Sequence, residues 1–317
     1  MKVCFIVPND IEKWTVPNEI LVPALKFQDL GAYACKEDVF FEDAFQHMGA
    51  GDIVVLYIPL KDAKRKDMFR KAPFTKVLRV VDPKGTDGHL HRKNLAAHFD
   101  NGPFDFWLLG YPNKDHIKCI QSHGIPGIIF PHCLSYDNIQ TPDEVFNMKE
   151  HDLLISGQMH EKFYPVRWKI AQRLLEKSDI DSFHLHHPGY GMNNEPRRHD
   201  YVGEDYVEFC KRFWLGANGC GHADGLHMKA LEFAKSYTLP VGNVPTYLEE
   251  SIAKHVLKLG IDESHEETHR EFINIISRKD RLRERIVAYS SAVRERYDIN
   301  IVVPHVYEKI ITKKFDF

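Results

Sequence analysis

The stretch LHMKALEFAKSYTLPVG, residues 226–242, decides the fold. Its first half has the spacing of a helix and its second half reads as the entry to a strand. Lys229 and Glu232 stand three apart, so on that helix they share a face. Asp224 and Gly225 lie just before it, where an Asp or Gly has a plain capping role. The same alternation runs outward on both sides. Upstream, DYVEFCKRFWLGANG (205–219) is a helix leading to a short strand, and DSFHLHHPGYG (181–191) is a strand running into a Gly/Pro loop. HDLLISG (151–157) is a strand ending at Gly157, followed by a helix at PVRWKIAQRLLEK (165–177) with Pro165 near its first turn. Downstream come a charged helical region (264–295) and an amphipathic helix, VVPHVYEKIITKKF (302–315).

The N-terminal half repeats the logic. KVCFIV (2–7), GDIVVLYIPL (51–60), TKVLRVVD (75–82), FDFWLLGY (104–111) and GIIFPH (127–132) are short apolar runs of the kind that form strands buried on both faces. NEILVPALKFQDLG (18–31) and NKDHIKCIQSHG (113–124) read as helices between them, the first disturbed by Pro23. Strands alternating with helices predict parallel sheets covered on both faces. LSYDNIQTPDEVFNMKE (134–150) breaks the rhythm and marks a domain boundary. The expected layout is a Rossmann-like doubly wound domain over 1–145, a second over 146–300, and a closing helix over 301–317 that packs back on the first. Two such domains in tandem are expected to face each other across a cleft, with ligands beyond the carboxyl ends of the strands.

A chain of 317 residues suits two domains of about 150 residues each. With 43% hydrophobic and 27% charged residues it has the make-up of a soluble globular protein. The formal net charge of −3 argues against a nucleic acid as the main partner. The six Cys are scattered among apolar neighbours and read as buried free thiols. MKVCFIVPND is too short for a signal peptide and reads as a first strand, and no stretch approaches the about 20 apolar residues of a membrane span. A cytoplasmic setting is the expectation.

Two segments carry chemistry. At the end of HDLLISG, Gly157 lets a backbone approach a phosphate closely, and the helix that follows offers an anion its N-terminus. Arg167 in that helix has a guanidinium fork suited to a diphosphate, or else is a solvated surface residue. In GHADGLHMKALEF, Lys229 is placed to neutralise phosphate charge. Glu232, an acceptor-only group, is suited to the two hydroxyls of a ribose. A surface ion pair is the plainer reading of those two residues.

Taken in order, DLLISG…YPVRWKIAQRLLE (152–176), HLHHPGYG (184–191) and DYVEFCKRFWLGANG…LHMKALEFAKSYTLPVGNVPTYLEE (205–250) resemble GT-B-fold glycosyltransferases, most of all the group-1 type and the spore-coat-protein-like "YPxR" relatives. FDFWLLGYPNKDHIKCIQSHGIPGIIFPHC (104–133) looks like the last βαβ of the family's N-terminal domain. The resemblance implies transfer of a sugar from a nucleoside-diphosphate sugar, UDP- or GDP-linked, to a glycan or other small acceptor. It gives Glu232 the donor ribose and Lys229 the phosphates. Asp224 and Glu232 have the spacing of the family's two-glutamate signature, with Asp in place of the first Glu. It places His187, Gly189 and Tyr190 near the nucleotide base or the donor phosphates. It also implies work without a bound metal or other cofactor, the protein supplying the positive charge.

Deprotonation of the acceptor is expected from the end of an N-terminal strand. In VLRVVDPKGTDGHLHRK (77–93), Asp82 ends an apolar strand and is the first choice as base, with His89 the second; Asp87 and His91 share the loop. A turn-forming Asp before Pro is the plainer reading of Asp82. His132 is a further cleft candidate. HLHH puts His184 and His186 on one strand face, and Cys210, Cys220 and His222 lie near one another in sequence, but neither group supplies the four ligands of a zinc site. Two other functions are weighed: a non-catalytic GT-B-like protein that binds a nucleotide sugar or glycan, and a dinucleotide oxidoreductase. The second is disfavoured because IVPNDIEKW, not GxGxxG, follows the first strand. A sugar transferase acting on DNA is a subtype of the first reading, made less favourable by the acidic balance.

Overall fold

Short apolar runs separated by helices give two parallel sheets. The computed structural model describes residues 1–9, 17–57, 60–80, 102–162, 164–175, 177–186, 201, 203–220, 224–259 and 264–317. They form two units, Met1–Cys133 with Ile299–Phe317, and Leu134–Asp298.

In the first unit the strands are β1 (Val3–Val7), β2 (Tyr33–Lys36), β3 (Ile53–Leu56), β4 (Thr75–Val80), β5 (Phe106–Leu109) and β6 (Gly127–Ile129). All neighbours are parallel, in the order β2-β1-β3-β4-β5-β6. The crossovers carry α1 (Pro17–Asp29), α2 (Glu37–Glu42), α3 (Ala63–Lys71) and α4 (Lys114–Ser122). Side chains alternate along each strand, so two cores form. Phe5, Val55, Val77, Phe106 and Ile128 meet Ala24 and Phe27 of α1 on one face. Cys4, Ile6, Val54, Leu78 and Trp107 meet Phe69 and Phe74 on the other. Asp62 and Asn113 cap α3 and α4 by accepting from Arg65 N and His116 N at 2.8 Å each.

The second unit runs α5 (Pro142–Phe146), β7 (His151–Gly157), α6 (Pro165–Leu174), β8 (Ser182–His186), α7 (Glu204–Cys210), β9 (Phe213–Asn218), α8 (Met228–Lys235), β10 (Leu239–Gly242), α9 (Glu250–Ala253), α10 (His265–Ile276) and α11 (Lys279–Tyr297). Its sheet is parallel in the order β10-β9-β7-β8. The chain then returns to the first unit as α12 (Ile299–Thr312), whose Val303, Val306 and Ile310 complete the core around Phe27.

Both units share one winding. The second strand pairs with the first, the third lies on the first strand's other side, and the fourth lies beyond it. The direction of winding therefore reverses between β1 and β3, and between β7 and β9. At such reversals the adjoining loops part at the carboxyl edge and leave a crevice.

The structure differs from the sequence expectation in detail. The segment after residue 133, expected in the first domain as far as 145, packs on the second unit. Leu134, Tyr136, Val145 and Phe146 enter its core, the Tyr136 hydroxyl donates to Leu231 O at 3.1 Å, and Phe146 stacks on Trp214. The charged region 264–295 is two helices, the first opened by a capping box of Ser264 and Glu267. The helix expected to 177 ends at Leu174. Among the described residues, no helix is long and apolar enough to cross a membrane.

Candidate active site

In the second unit the reversal falls where β7 ends at Gly157 and β9 ends at Asn218. Gly157 has φ +96°, a left-handed conformation open to glycine at little cost. A β-carbon there would lie 2.7 Å from Lys229 Nζ and 2.9 Å from Arg167 Nη1. Two cations thus close over one strand end, each held by a backbone carbonyl. Lys229 Nζ donates to Ser156 O at 2.7 Å, and Arg167 Nη1 to Gln158 O at 3.3 Å. The Arg167 guanidinium, only 4% exposed as a residue, stacks 4.4 Å from the centre of the Tyr164 ring.

Local sequence explains the placement. Pro165 opens α6, where a missing N–H costs nothing, and sets Arg167 in the first turn. His227 precedes α8 and sets Lys229 in its first turn. Neither helix has a side-chain cap, so first-turn amides remain for a ligand to satisfy. A β-carbon on Gly219 would lie 3.9 Å from Arg167 N and 3.4 Å from Asn243 Oδ1. Lack of a side chain there keeps that amide approachable.

The charges are arranged against their own interest. Burial, and after it the neighbouring Arg167, lowers the Lys229 ammonium to about 7, with Glu232 opposing the shift. Burial, then Arg167 and Lys229, takes His227 down to about 4, so its imidazole is neutral at pH 7. Two cations are thus held together at one buried strand end, and an anion placed there would relieve both.

Glu232 lies one turn along α8 from Lys229, and its charge bears on Lys229, Tyr206 and Cys210. The Tyr206 hydroxyl shares a hydrogen bond with Ser156 Oγ, and Lys229 Nζ stands 5.9 Å from the Tyr206 ring centre. Asp224 has φ +48°, and its carboxylate accepts from Thr246 N at 3.0 Å and from Thr246 Oγ1. Gly225 N donates to Cys220 O at 3.1 Å, and Leu226 N to the Tyr247 hydroxyl at 2.8 Å. The bonds of Asp224 and Leu226 tie the turn before α8 to the segment after β10.

Of the residues expected from sequence, Gly157, Arg167 and Lys229 come together, with Glu232 beside them on α8. Asp224 and Gly225 shape the turn that leads into that helix. Asp82, His89, Asp87 and His91, like His187, Gly189, Tyr190 and His222, lie outside the described residues. His132 is 2% exposed and its Nε2 meets the Tyr111 hydroxyl at 3.0 Å. The His184 and His186 rings lie 4.0 Å apart, though no group of three or more metal-type ligands forms among the described residues. Sequence reasoning missed Gly219, His227 and Asn218, the last only 4% exposed and with Oδ1 enclosed without a partner among the described residues. The signal for Asn218 and Gly219 was present in LGANG, a strand end followed by a glycine, and that for His227 in GLHMK, the approach to a helix.

No protein-family model and no curated protein matches this chain. Solved structures do. An alpha-glucosyltransferase in complex with UDP superposes with a TM-score of 0.68 at 11% identity, over 98% of this chain and 100% of that one. The Anabaena protein Alr3699/HepE in complex with UDP-glucose gives 0.66 at 10% identity, over 98% and 100%. An alpha-glucosyltransferase with UDP and a 13-mer DNA containing an HMU base gives 0.67 at 11% identity, over 98% and 99%. Likeness across nearly the whole of each chain at such low identity is a likeness of fold, and the fold of this chain is GT-B.

Proposed function

We propose that this protein is a glycosyltransferase that moves a sugar from a nucleoside-diphosphate sugar to an acceptor hydroxyl. The observation that carries the reading is the convergence of Arg167 and Lys229 on Gly157, beside two uncapped helix starts. Such a site fits a diphosphate in charge, size and position. UDP is the first nucleotide to assign, since similar structures hold UDP or UDP-glucose.

Breaking the bond to the anomeric carbon leaves negative charge on the diphosphate and positive charge on the sugar. Arg167 offers a planar fork to the phosphate oxygens and Lys229 a point charge. As the leaving group gains charge both interactions strengthen, which lowers the barrier and not merely the ground state. In this reading the two side chains and the helix starts supply the charge neutralisation, with no metal or other cofactor assigned to the step. Glu232 accepts from the ribose hydroxyls, and Asp224 with Gly225 holds the turn that aims α8. His187, Gly189 and Tyr190, which follow β8 in the sequence, are assigned to the nucleotide base or the donor phosphates.

The acceptor is assigned as a glycan or other small hydroxyl compound. A net charge of −3 weighs against nucleic acid. Asp82 is assigned as its base and His89 as the reserve. The support is position, since β4 lies within the parallel sheet and ends at Val80, two residues earlier. Five described cysteines are free thiols, in keeping with a cytoplasmic setting.

The test is release of nucleoside diphosphate from a panel of UDP-, GDP- and dTDP-sugars. Slow hydrolysis by the wild type, lost in Glu232→Ala, supports the enzyme. Tight binding without turnover under any acceptor would make the protein a binding module instead.

A further inference from the structure

Arg79 stands one residue before the carboxyl end of β4 and is 2% exposed, a full charge inside an apolar strand. Its guanidinium carbon lies 3.9 Å from the centre of the Phe130 ring and 5.5 Å from that of Tyr57. Nη1 donates to Phe130 O at 3.1 Å. No carboxylate pairs with it among the described residues, and Nε is enclosed without a partner. The Tyr57 hydroxyl, on the residue after β3, is likewise enclosed and unpartnered. With the ring faces covered and Nη1 engaged, the unused side of the guanidinium is its Nε/Nη2 edge. That edge presents two parallel N–H bonds, the geometry that holds two oxygens of one anion. Burial holds the Tyr57 phenol protonated, so it too is a donor.

A buried cation with no counter-charge among the described residues is costly, and a chain that needed only packing would do better with an apolar residue there. Here the charge is kept at the carboxyl edge of a parallel sheet, where ligands of such sheets bind. We propose that Arg79 and Tyr57 bind an oxyanion, a carboxylate or a phosphate, carried by the acceptor. Its assignment to the acceptor rests on the transferase reading, whereas the anion site itself stands without it. The acceptor would then be an acidic sugar or a phosphorylated compound, oriented by its charged group.

The Nε–H resonance of Arg79 in the full chain, assigned by its loss in Arg79→Lys, reads the site directly. Inorganic phosphate and acetate are titrated separately with the donor site filled by excess UDP, and again in Lys229→Met. We expect a saturable shift with one or both anions, none with chloride at equal ionic strength, and affinity about three- to tenfold weaker in Tyr57→Phe. A response to phosphate alone identifies a phosphorylated acceptor, and a response to acetate a carboxylate. A resonance unmoved by either anion into the high millimolar range, or moved equally by chloride, overturns the proposal. Arg79→Met should still bind UDP. If the wild type does not bind UDP but the Arg79 titration persists in Lys229→Met, the donor reading fails and the anion site stands.

Discussion

Lys229 Nζ occupies the space that a β-carbon on Gly157 would need, 2.7 Å from its ideal position. The strand end and the first turn of α8 are therefore fitted to each other through a missing side chain. Gly157→Ala asks an alanine to hold φ +96° and asks Lys229 and Arg167 to move. The side-chain ends are flexible and move at little cost, so the stability loss is chiefly the backbone's, about 1–2 kcal/mol. Donor binding depends on where those two cations sit. We expect urea denaturation to show that modest loss and calorimetry to show UDP affinity at least about tenfold lower. An unchanged affinity would remove the strand end from the site.

The Lys229 ammonium gives the site a pH signature. Its folded value of about 7 lies below the ordinary 10.5. Between these values the unfolded chain binds more protons than the folded one, so this group makes the empty protein more stable as pH rises from about 7 towards 10.5. Below about 7 the ammonium is charged in both states and the full penalty of burying it applies. Binding has the opposite trend, because a diphosphate favours the charged form. UDP-glucose affinity should be nearly flat below pH 7 and fall as pH rises beyond it, by up to about tenfold per unit. A sugar nucleotide is the right probe because its diphosphate does not titrate in this range. Calorimetry in buffers of different ionisation enthalpy should show proton uptake at pH 8, absent in Lys229→Met.

Much of this site could be read from the chain because strand ends and helix starts have local signatures. Gly157 closes the apolar run DLLIS, and Pro165 and Lys229 sit in the first turns of two helices, so Arg167 and Lys229 were bound to face the same edge. Spacing does not show direction. Asp224 and Glu232 have the separation of a functional pair, yet the left-handed turn at Asp224 carries its carboxylate to Thr246. Residues 134–146 have no periodicity of their own; Tyr136 and Phe146 attach them to the second unit by tertiary contacts alone. Arg79 drew no reading from the sequence, because its meaning lies in partners just beyond β3 and β6, Tyr57 and Phe130.

Glu232 is assigned by chemistry to a vicinal diol, and the diol can be removed. Glu232→Ala should weaken UDP binding by about 1.5–3 kcal/mol, the worth of charged hydrogen bonds. The same substitution should cost far less against a nucleotide lacking both ribose hydroxyls. A double-mutant cycle with protein and ligand as its two sides isolates that term. Equal losses for both nucleotides would show that Glu232 acts through Lys229 and not on the ribose.

Asp224→Ala separates the turn from the ligand. The carboxylate's bonds to Thr246 N and Oγ1 join the turn before α8 to the segment after β10. Their loss should cost about 1–3 kcal/mol in chemical denaturation. UDP affinity should fall less than in Glu232→Ala, since the turn positions α8 while Glu232 is the residue proposed to touch the ligand. A larger effect on affinity than on stability would move Asp224 into the donor's contact surface.

Asp82 is the residue proposed for the acceptor half of the reaction. If the anomeric configuration inverts, a base must take the hydroxyl proton as the new bond forms, and Asp82 follows the end of β4 by two residues in the sequence. Asp82→Asn keeps size and removes the basic oxygen. Donor binding should be unchanged, because Arg167, Lys229 and Glu232 are untouched. Transfer should fall by about 10²–10⁴-fold, the usual worth of a positioned base. His89→Gln, measured in parallel, should lose much less. The reverse order would pass the role to His89, and full activity in both would place the base elsewhere or make the reaction a retaining one.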